Sequence, residues 1–187
     1  MRKLLSVAML SILILTTMLV ATPVALAEET TCRGTIGART VDNLRVPQGN
    51  TCTLNGTRVK GTIKVERDAT LKATNVTVVG NVQAENHKYV SLASSRVGGS
   101  VQFDQGGAFA VANTKVTGSI QVKSNSGESR LRANIVNADI QVFSHRGGIG
   151  ISNNLVDGNL QCKENVPAPT GGGNRVQGNK EDQCKNL

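Results

Sequence analysis

The sequence predicts an all-β fold: a single-stranded parallel β-helix of about seven coils of 19–20 residues, wound right-handed. Three observations carry this expectation: an internal repeat of nearly fixed period, strand-type alternation inside each unit, and an apolar inventory made mostly of Val, Ile, Leu and Ala. The repeat occurs as Val59, Gly61, Ile63, Val65; as Val78, Gly80, Val82, Ala84; as Val97, Gly99, Val101, Phe103; and as Val116, Gly118, Ile120, Val122, with a spacing of 19 each time. It continues at a spacing of 20 with Val136, Ala138, Ile140, Val142 and with Val156, Gly158, Leu160, Cys162, then decays at Val176 and Gly178. Leu44 and Val46 open it one unit earlier. Self-similarity at a period of this size marks a solenoid.

Inside each unit apolar and polar residues alternate with period two, and a second apolar pair follows: Cys52/Leu54, Leu71/Ala73, Val90/Leu92, Phe109/Val111 and Ile149/Ile151. No unit offers the i, i+3, i+4, i+7 spacing of a helix, and none has the Leu-rich frame of a horseshoe repeat. In a coil stack, equivalent residues lie about 4.8 Å apart, so each sequence column becomes a ladder. The small column Gly61, Gly80, Gly99, Gly118, Ala138, Gly158, Gly178 is expected where the backbone turns sharply or takes a positive φ. A polar column, Asn55, Asn75, Ser94, Asn113, Asn134, Asn154 and Asn174, is expected at tight bends, with one-residue slips. With no Trp, one Tyr and three Phe, a bulky aromatic core is excluded.

Residues 1–27 read as a signal peptide: Arg2 and Lys3, an apolar run from Leu4 to Val20, and Ala25-Leu26-Ala27 before Glu28. The expectation is therefore a secreted or cell-envelope protein, with residues 28–187 as one β-helix domain and no stable membrane insertion after leader removal. Taking away Arg2 and Lys3 leaves nineteen basic against thirteen acidic residues, a net charge of +6. Such a balance suits an anionic polymer, whereas the scarcity of aromatics and of Lys/Arg runs argues against nucleic acid.

Four cysteines in a secreted chain point to two disulfides. Cys32 and Cys52 are 20 apart and Cys162 and Cys184 are 22 apart, so each pair falls on neighbouring coils. The other pairings would span several coils, on the order of 27 Å, far beyond bonding reach. The predicted bridges are Cys32–Cys52 and Cys162–Cys184, capping the two ends where a solenoid frays.

Two outward columns define the candidate binding face: Asn81, Ser100, Ser119, Asp139 and Asn159, and beside them Gln83, Gln102, Gln121, Gln141 and Gln161. The glutamines can bond amide to amide up the stack, or the face can meet a repeating ligand such as a glycan. An ice-binding face would need a uniform Thr ladder, which this face lacks. No catalytic residue, metal site or cofactor is assigned. The acids Asp68, Glu85, Asp104, Asp139, Asp157 and Glu164 are expected in different columns or coils, Asp139 and Asp157 being the nearest to a pair for glycosidic chemistry. His87 and His145 are expected as solvated loop residues. Gly171 to Gly173 read as a flexible bulge, and Arg58, Arg96, Lys115 and Arg175 as a charged edge interrupted by Thr77, Ile135 and Leu155. Asn55-Gly-Thr57 and Asn75-Val-Thr77 are glycosylation sequons, meaningful in a host with that machinery.

The unit Val-x-Gly-x-Ile/Val-x-Val resembles the β-helical core of bactofilins, bacterial scaffold proteins that polymerise end to end. The resemblance implies a polymer-forming scaffold, but bactofilins are cytoplasmic and uncapped, and this chain carries a leader and predicted disulfide caps. The functional expectation is a secreted, non-enzymatic structural or adhesive element binding an envelope polysaccharide or another anionic polymer. The alternatives are a carbohydrate-active enzyme using Asp139 and Asp157, and a bactofilin-like polymer.

Overall fold

A computed structural model describes residues 28–187, and the signal-peptide reading of residues 1–27 falls outside the described residues. The chain is a parallel β-solenoid: three parallel sheets run the length of the stack, with nine strands in sheet A and eight each in sheets B and C. One rung shows the plan: Ile63–Val65 in sheet A, Thr70–Thr74 in sheet B and Thr77–Val78 in sheet C, after which the chain steps up to Val82–Glu85. The stack has eight such rungs, rather than seven, and a ninth sheet A strand at Lys180–Asp182. The additional rung is the first, Glu29–Thr31, Thr35–Ile36 and Thr40–Val41, which pairs in register although it lacks the Val-x-Gly signature.

The inward columns are those read from the repeat. Val82, Val101 and Ile120 are direct register partners, and each is fully buried. Leu92 and Val111 do the same in sheet B, and Val97 and Val116 in sheet C. A column of β-branched residues suits this geometry, because a stiff χ1 lets each side chain repeat its neighbour's rotamer one rung below. The change of spacing from 19 to 20 is absorbed in one place. Val111 follows Phe103 by eight residues and Leu131 follows Val122 by nine, so the extra residue enters the corner between sheets A and B and leaves every register intact.

The glycine column lies at a bend in each rung, as expected, but its backbone is not left-handed. None of Gly61, Gly80, Gly99, Gly118, Gly158 and Gly178 has a positive φ. They lie where the backbone of one rung rides on the next. A Cβ on Gly80 would meet the Gly61 carbonyl oxygen at 2.7 Å, and one on Gly118 would meet the Gly99 oxygen at 2.9 Å. This closeness lets Gly80 N–H donate to Gly61 O at 2.9 Å and Gly99 N–H to Gly80 O at 2.9 Å. Ala138, the member of the column with a side chain, forms no such bond to Gly118 below it.

The polar column also resolves into two. Left-handed backbone is found at Gly56, Asn75, Ser94, Asn113, Ala133, Asn153 and Gly173, one rung after another. The residue after each points inward, giving the buried file Thr57, Val76, Ser95, Thr114, Asn134, Asn154, Asn174. The slips in the sequence column arose because Asn75 and Asn113 belong to the first file while Asn134, Asn154 and Asn174 belong to the second. Both expected disulfides are present, with Cα–Cα distances of 5.5 Å for Cys32–Cys52 and 5.2 Å for Cys162–Cys184. They join the first rung to the second and the last full rung to the C-terminal turn, where Leu187 packs against the core.

Gly80→Ala is expected to destabilise the protein by about 1–3 kcal/mol, since the methyl group overpacks a contact with immobile backbone. Ala138→Gly should stay within about 1 kcal/mol of the parent. Urea unfolding followed by circular dichroism distinguishes the two, and a neutral Gly80→Ala would contradict the close-approach account.

Candidate functional site

All three corners of the prism carry side-chain ladders that satisfy backbone groups left over between sheets. At the corner from sheet C to sheet A, each side-chain oxygen accepts a backbone N–H from the next rung: Asn81 Oδ1 from Ser100 at 2.8 Å, Ser100 Oγ from Ser119 at 3.1 Å, Ser119 Oγ from Asp139 at 3.3 Å and Asp139 Oδ1 from Asn159 at 2.7 Å. One column of the candidate face is thus engaged in holding the stack. At the corner from sheet B to sheet C the ladder points the opposite way. Asn134 N–H donates to Asn154 Oδ1 and Asn154 N–H to Asn174 Oδ1, both at 3.0 Å, while Asn154 Nδ2 also reaches the carbonyl of Leu131 at 3.0 Å.

The glutamine column lies on the outer face of sheet A. Gln83 Nε2 donates to Gln102 Oε1 at 2.9 Å, Gln102 to Gln121 at 2.9 Å, Gln121 to Gln141 at 3.2 Å and Gln141 to Gln161 at 2.9 Å. The file ends on a carboxylate, Gln161 Nε2 donating to Glu181 Oε2 at 2.9 Å. Each amide from Gln102 to Gln161 uses one donor and one acceptor within the file, Gln83 uses a donor alone, and all keep others for a partner outside it.

Beside the ladder a groove of about 770 Å³ crosses five rungs. One wall is Lys64 with Gln83, Gln102, Gln121 and Gln141, and the other is the neighbouring outward column of Glu66, Glu85, Asp104, Lys123 and Phe143. Gln48, Arg67 and Asn86 from the A–B corner form its margin. The acids are not scattered as expected: Glu85 and Asp104 are direct register partners, and Glu66 precedes them in the same column. Alternation places every second residue of a strand outward, and the 19-residue spacing of Glu66, Glu85 and Asp104 carried that signal. Glu66 is occupied by Arg45 at 3.3 Å and by the Gln48 N–H at 3.1 Å. Asp104 Oδ1 is buried with no hydrogen-bond partner, and Asp104 forms no salt bridge with its register neighbour Lys123. Asp139 and Asp157 do not meet in a site, because Asp139 is held in the C–A corner and Asp157 accepts from Gln177 Nε2 at 3.0 Å.

The histidines overturn their expected place. His87 and His145 are 2% and 0% exposed, inside the solenoid. They flank a stacked pair, Phe103 and Phe109 at 4.5 Å between centroids, with His87 5.5 Å from Phe103 and His145 5.8 Å from Phe109. The core is aliphatic, as expected, apart from this short aromatic strip at the A–B corner. The signal was in the spacing: His87, Gly106, Asn125, His145 and Asn165 form one inward file. Gly106 lacks a side chain because the His87 imidazole occupies that volume. His145 Nε2–H donates to Gly148 O at 3.1 Å, whereas neither ring nitrogen of His87 has a partner. Burial pushes His87 down from 6.5 to about 4, and burial lowers His145 in the same direction. Both are neutral packing groups.

Among the described residues no helix is long and apolar enough to cross a membrane. No protein-family model matches the chain, and no curated protein or solved structure matches it either.

Two outcomes follow from these ladders. Asn154→Ala should lower stability by about 2–4 kcal/mol, leaving buried N–H groups of Asn134 without an acceptor, while half-exposed Gln121→Ala should cost under about 1 kcal/mol; equal losses in urea would refute the ranking. Stability should also depend on pH. As pH falls from about 6.5 to about 4, the unfolded chain takes up a proton at His87 that the folded chain refuses, so a contribution complete above this window is lost through it, about 3 kcal/mol in total. His87→Ala should flatten that slope, and an unchanged slope would remove His87 as its source.

Proposed function

We propose that this is a non-enzymatic, extracytoplasmic β-solenoid that holds an envelope glycan in the groove along sheet A. The observation that carries the reading is the groove itself: a slot about 19 Å long, given four rung steps of about 4.8 Å, with amides at regular intervals and half-exposed Phe143 at one end. Regular amide donors and acceptors suit the repeating hydroxyls of a polysaccharide, and an aromatic face suits a sugar ring. The leader-like segment and two disulfides support an oxidising compartment outside the cytoplasm. The bactofilin-like repeat supports a scaffold role, while the capped ends favour a finite unit over an end-to-end polymer.

A second reading has its own observation. Glu85 and Asp104 stand on adjacent rungs in the groove, and carboxyls about 5–5.5 Å apart are the spacing of a retaining glycosidase. In that case one acid would protonate the leaving oxygen as the glycosidic C–O bond breaks and the other would bond to the sugar carbon; water, deprotonated by the first carboxylate, would then displace the second and release the sugar. This pair replaces Asp139 and Asp157 as the candidates for such chemistry.

A glycan array probed with the secreted form separates the readings. The expected result is retention of a neutral or mixed polysaccharide without release of reducing ends, and an affinity about two- to twelvefold weaker for Phe143→Ala, as removal of about 0.5–1.5 kcal/mol of aromatic contact implies. Cleavage of any array glycan, abolished by both Asp104→Asn and Glu85→Gln, would replace the binding reading with the hydrolytic one.

A further inference from the structure

Sheet C presents a surface that the groove does not use. Its strands are two residues long, one inward and one outward, so each rung contributes one side chain to a single outward file. The register is unbroken from Arg58 through Thr77, Arg96, Lys115, Ile135 and Leu155 to Arg175. The sequence read these bases as an interrupted edge, and the structure aligns them over six rung steps, about 29 Å.

The file has two unusual properties. First, its cations lack counter-charges: among the described residues, none of Arg58, Arg96, Lys115 and Arg175 takes part in a salt bridge. Arg96 and Lys115 are direct register partners, and like charges side by side on adjacent strands repel. The neighbouring outward column runs Lys60, Val79, Gly98, Thr117, Asn137, Asp157 and Gln177. Lys60 is paired with Asp42 and Asp157 accepts from Gln177 Nε2 at 3.0 Å, so the column adds no charge between the rungs of Arg96 and Ile135 and one engaged acid on the rung of Leu155. Second, the two rungs between Lys115 and Arg175 carry Ile135 and Leu155, 45% and 41% exposed. Two aliphatic side chains in line with unpaired cations form a surface that is both cationic and apolar along one axis.

We infer that this file is a binding site for a linear acidic polysaccharide lying parallel to the solenoid axis, with carboxylates on Arg58, Arg96, Lys115 and Arg175 and a sugar ring against Ile135 and Leu155. Charge complementarity sets the sign of the partner, since guanidinium groups match carboxylates bidentately. The width of the file sets its shape. A membrane meets a plane, whereas this site is one side chain wide and many rungs long, which fits a chain. The aliphatic pair sets the chemistry, because the flat C–H face of a pyranose can cover both side chains, whereas a duplex keeps its phosphates outermost and a poly-glutamate offers only flexible methylenes. The site lies on a different sheet from the groove, so either can fail without the other.

Polygalacturonate is the test probe, with dextran as the uncharged control, poly-glutamate as a polyanion without sugar rings, and vesicles of phosphatidylglycerol and duplex DNA as the other anionic surfaces. The expected result is salt-dependent binding of polygalacturonate, at least tenfold tighter than poly-glutamate at about 50 mM salt, whereas any dextran held by the groove is insensitive to salt and to the sheet C substitutions. Arg96→Gln with Lys115→Gln should weaken it at least tenfold and reduce the slope of log K against log salt by about 1.5. Lys72→Gln with Arg146→Gln removes the same charge from other surfaces and should change affinity less than threefold. Ile135→Ser with Leu155→Ser should weaken polygalacturonate several-fold and leave poly-glutamate unchanged. Each variant is checked for parental circular dichroism and urea midpoint, which outward positions should preserve. Absence of binding, equal loss in both charge pairs, equal affinity for poly-glutamate, or preference for vesicles or DNA would each overturn the assignment.

Discussion

Along the solenoid, each residue answers to the copy of its position one rung above and one rung below. Parallel strands stacked at about 4.8 Å admit only side chains that tolerate a near-identical neighbour at that distance, and the composition follows from this. β-branched aliphatics fill the inward files. Amides and hydroxyls fill the corners, where they satisfy backbone groups that no strand can reach. A file of glycine marks the line along which backbone rides on backbone, and Ala138 shows what a single methyl group does there: the axial hydrogen bond beneath it is missing.

Much of this was legible because solenoid physics is periodic. The pairing of the cysteines, the Val and Ile files and the glutamine ladder all came from counting in steps of 19 and 20. What counting missed were positions whose meaning depends on direction rather than period. His87 and His145 looked like connecting-segment residues because polarity was taken as a sign of exposure. Yet they share a file with Ala69 and Asn125, both fully buried, and the turn preceding each of them aims the next side chain inward. The acids were missed for a related reason: Glu85 and Asp104 stand 19 apart and belong to the same outward file, but the search weighed them as individuals.

The surface can be divided by how its polar groups are engaged. The C–A corner residues Asn81, Ser100, Ser119, Asp139 and Asn159 are committed to backbone of the following rung, and they present less to a ligand than their chemistry suggests. The glutamines are half committed. Asp104 in the groove and the cations of sheet C are not committed at all, and that contrast, more than residue type, separates structural columns from those that are free for a partner. Net charge alone did not reveal this distribution, since it counts Arg45, Lys60 and Arg130, each beside a carboxylate, on the same footing as the unpaired cations of sheet C.

The disulfides have a mechanical consequence. In a stack whose rungs touch only their neighbours, tension on either terminus would ordinarily peel off one coil at a time, each parting at low force. Cys32–Cys52 locks the opening coil to its neighbour, and Cys162–Cys184 fastens the tail to the final coil. A pull on the chain is therefore carried past the frayed ends into the interior, where it must break several files of side-chain and backbone bonds together.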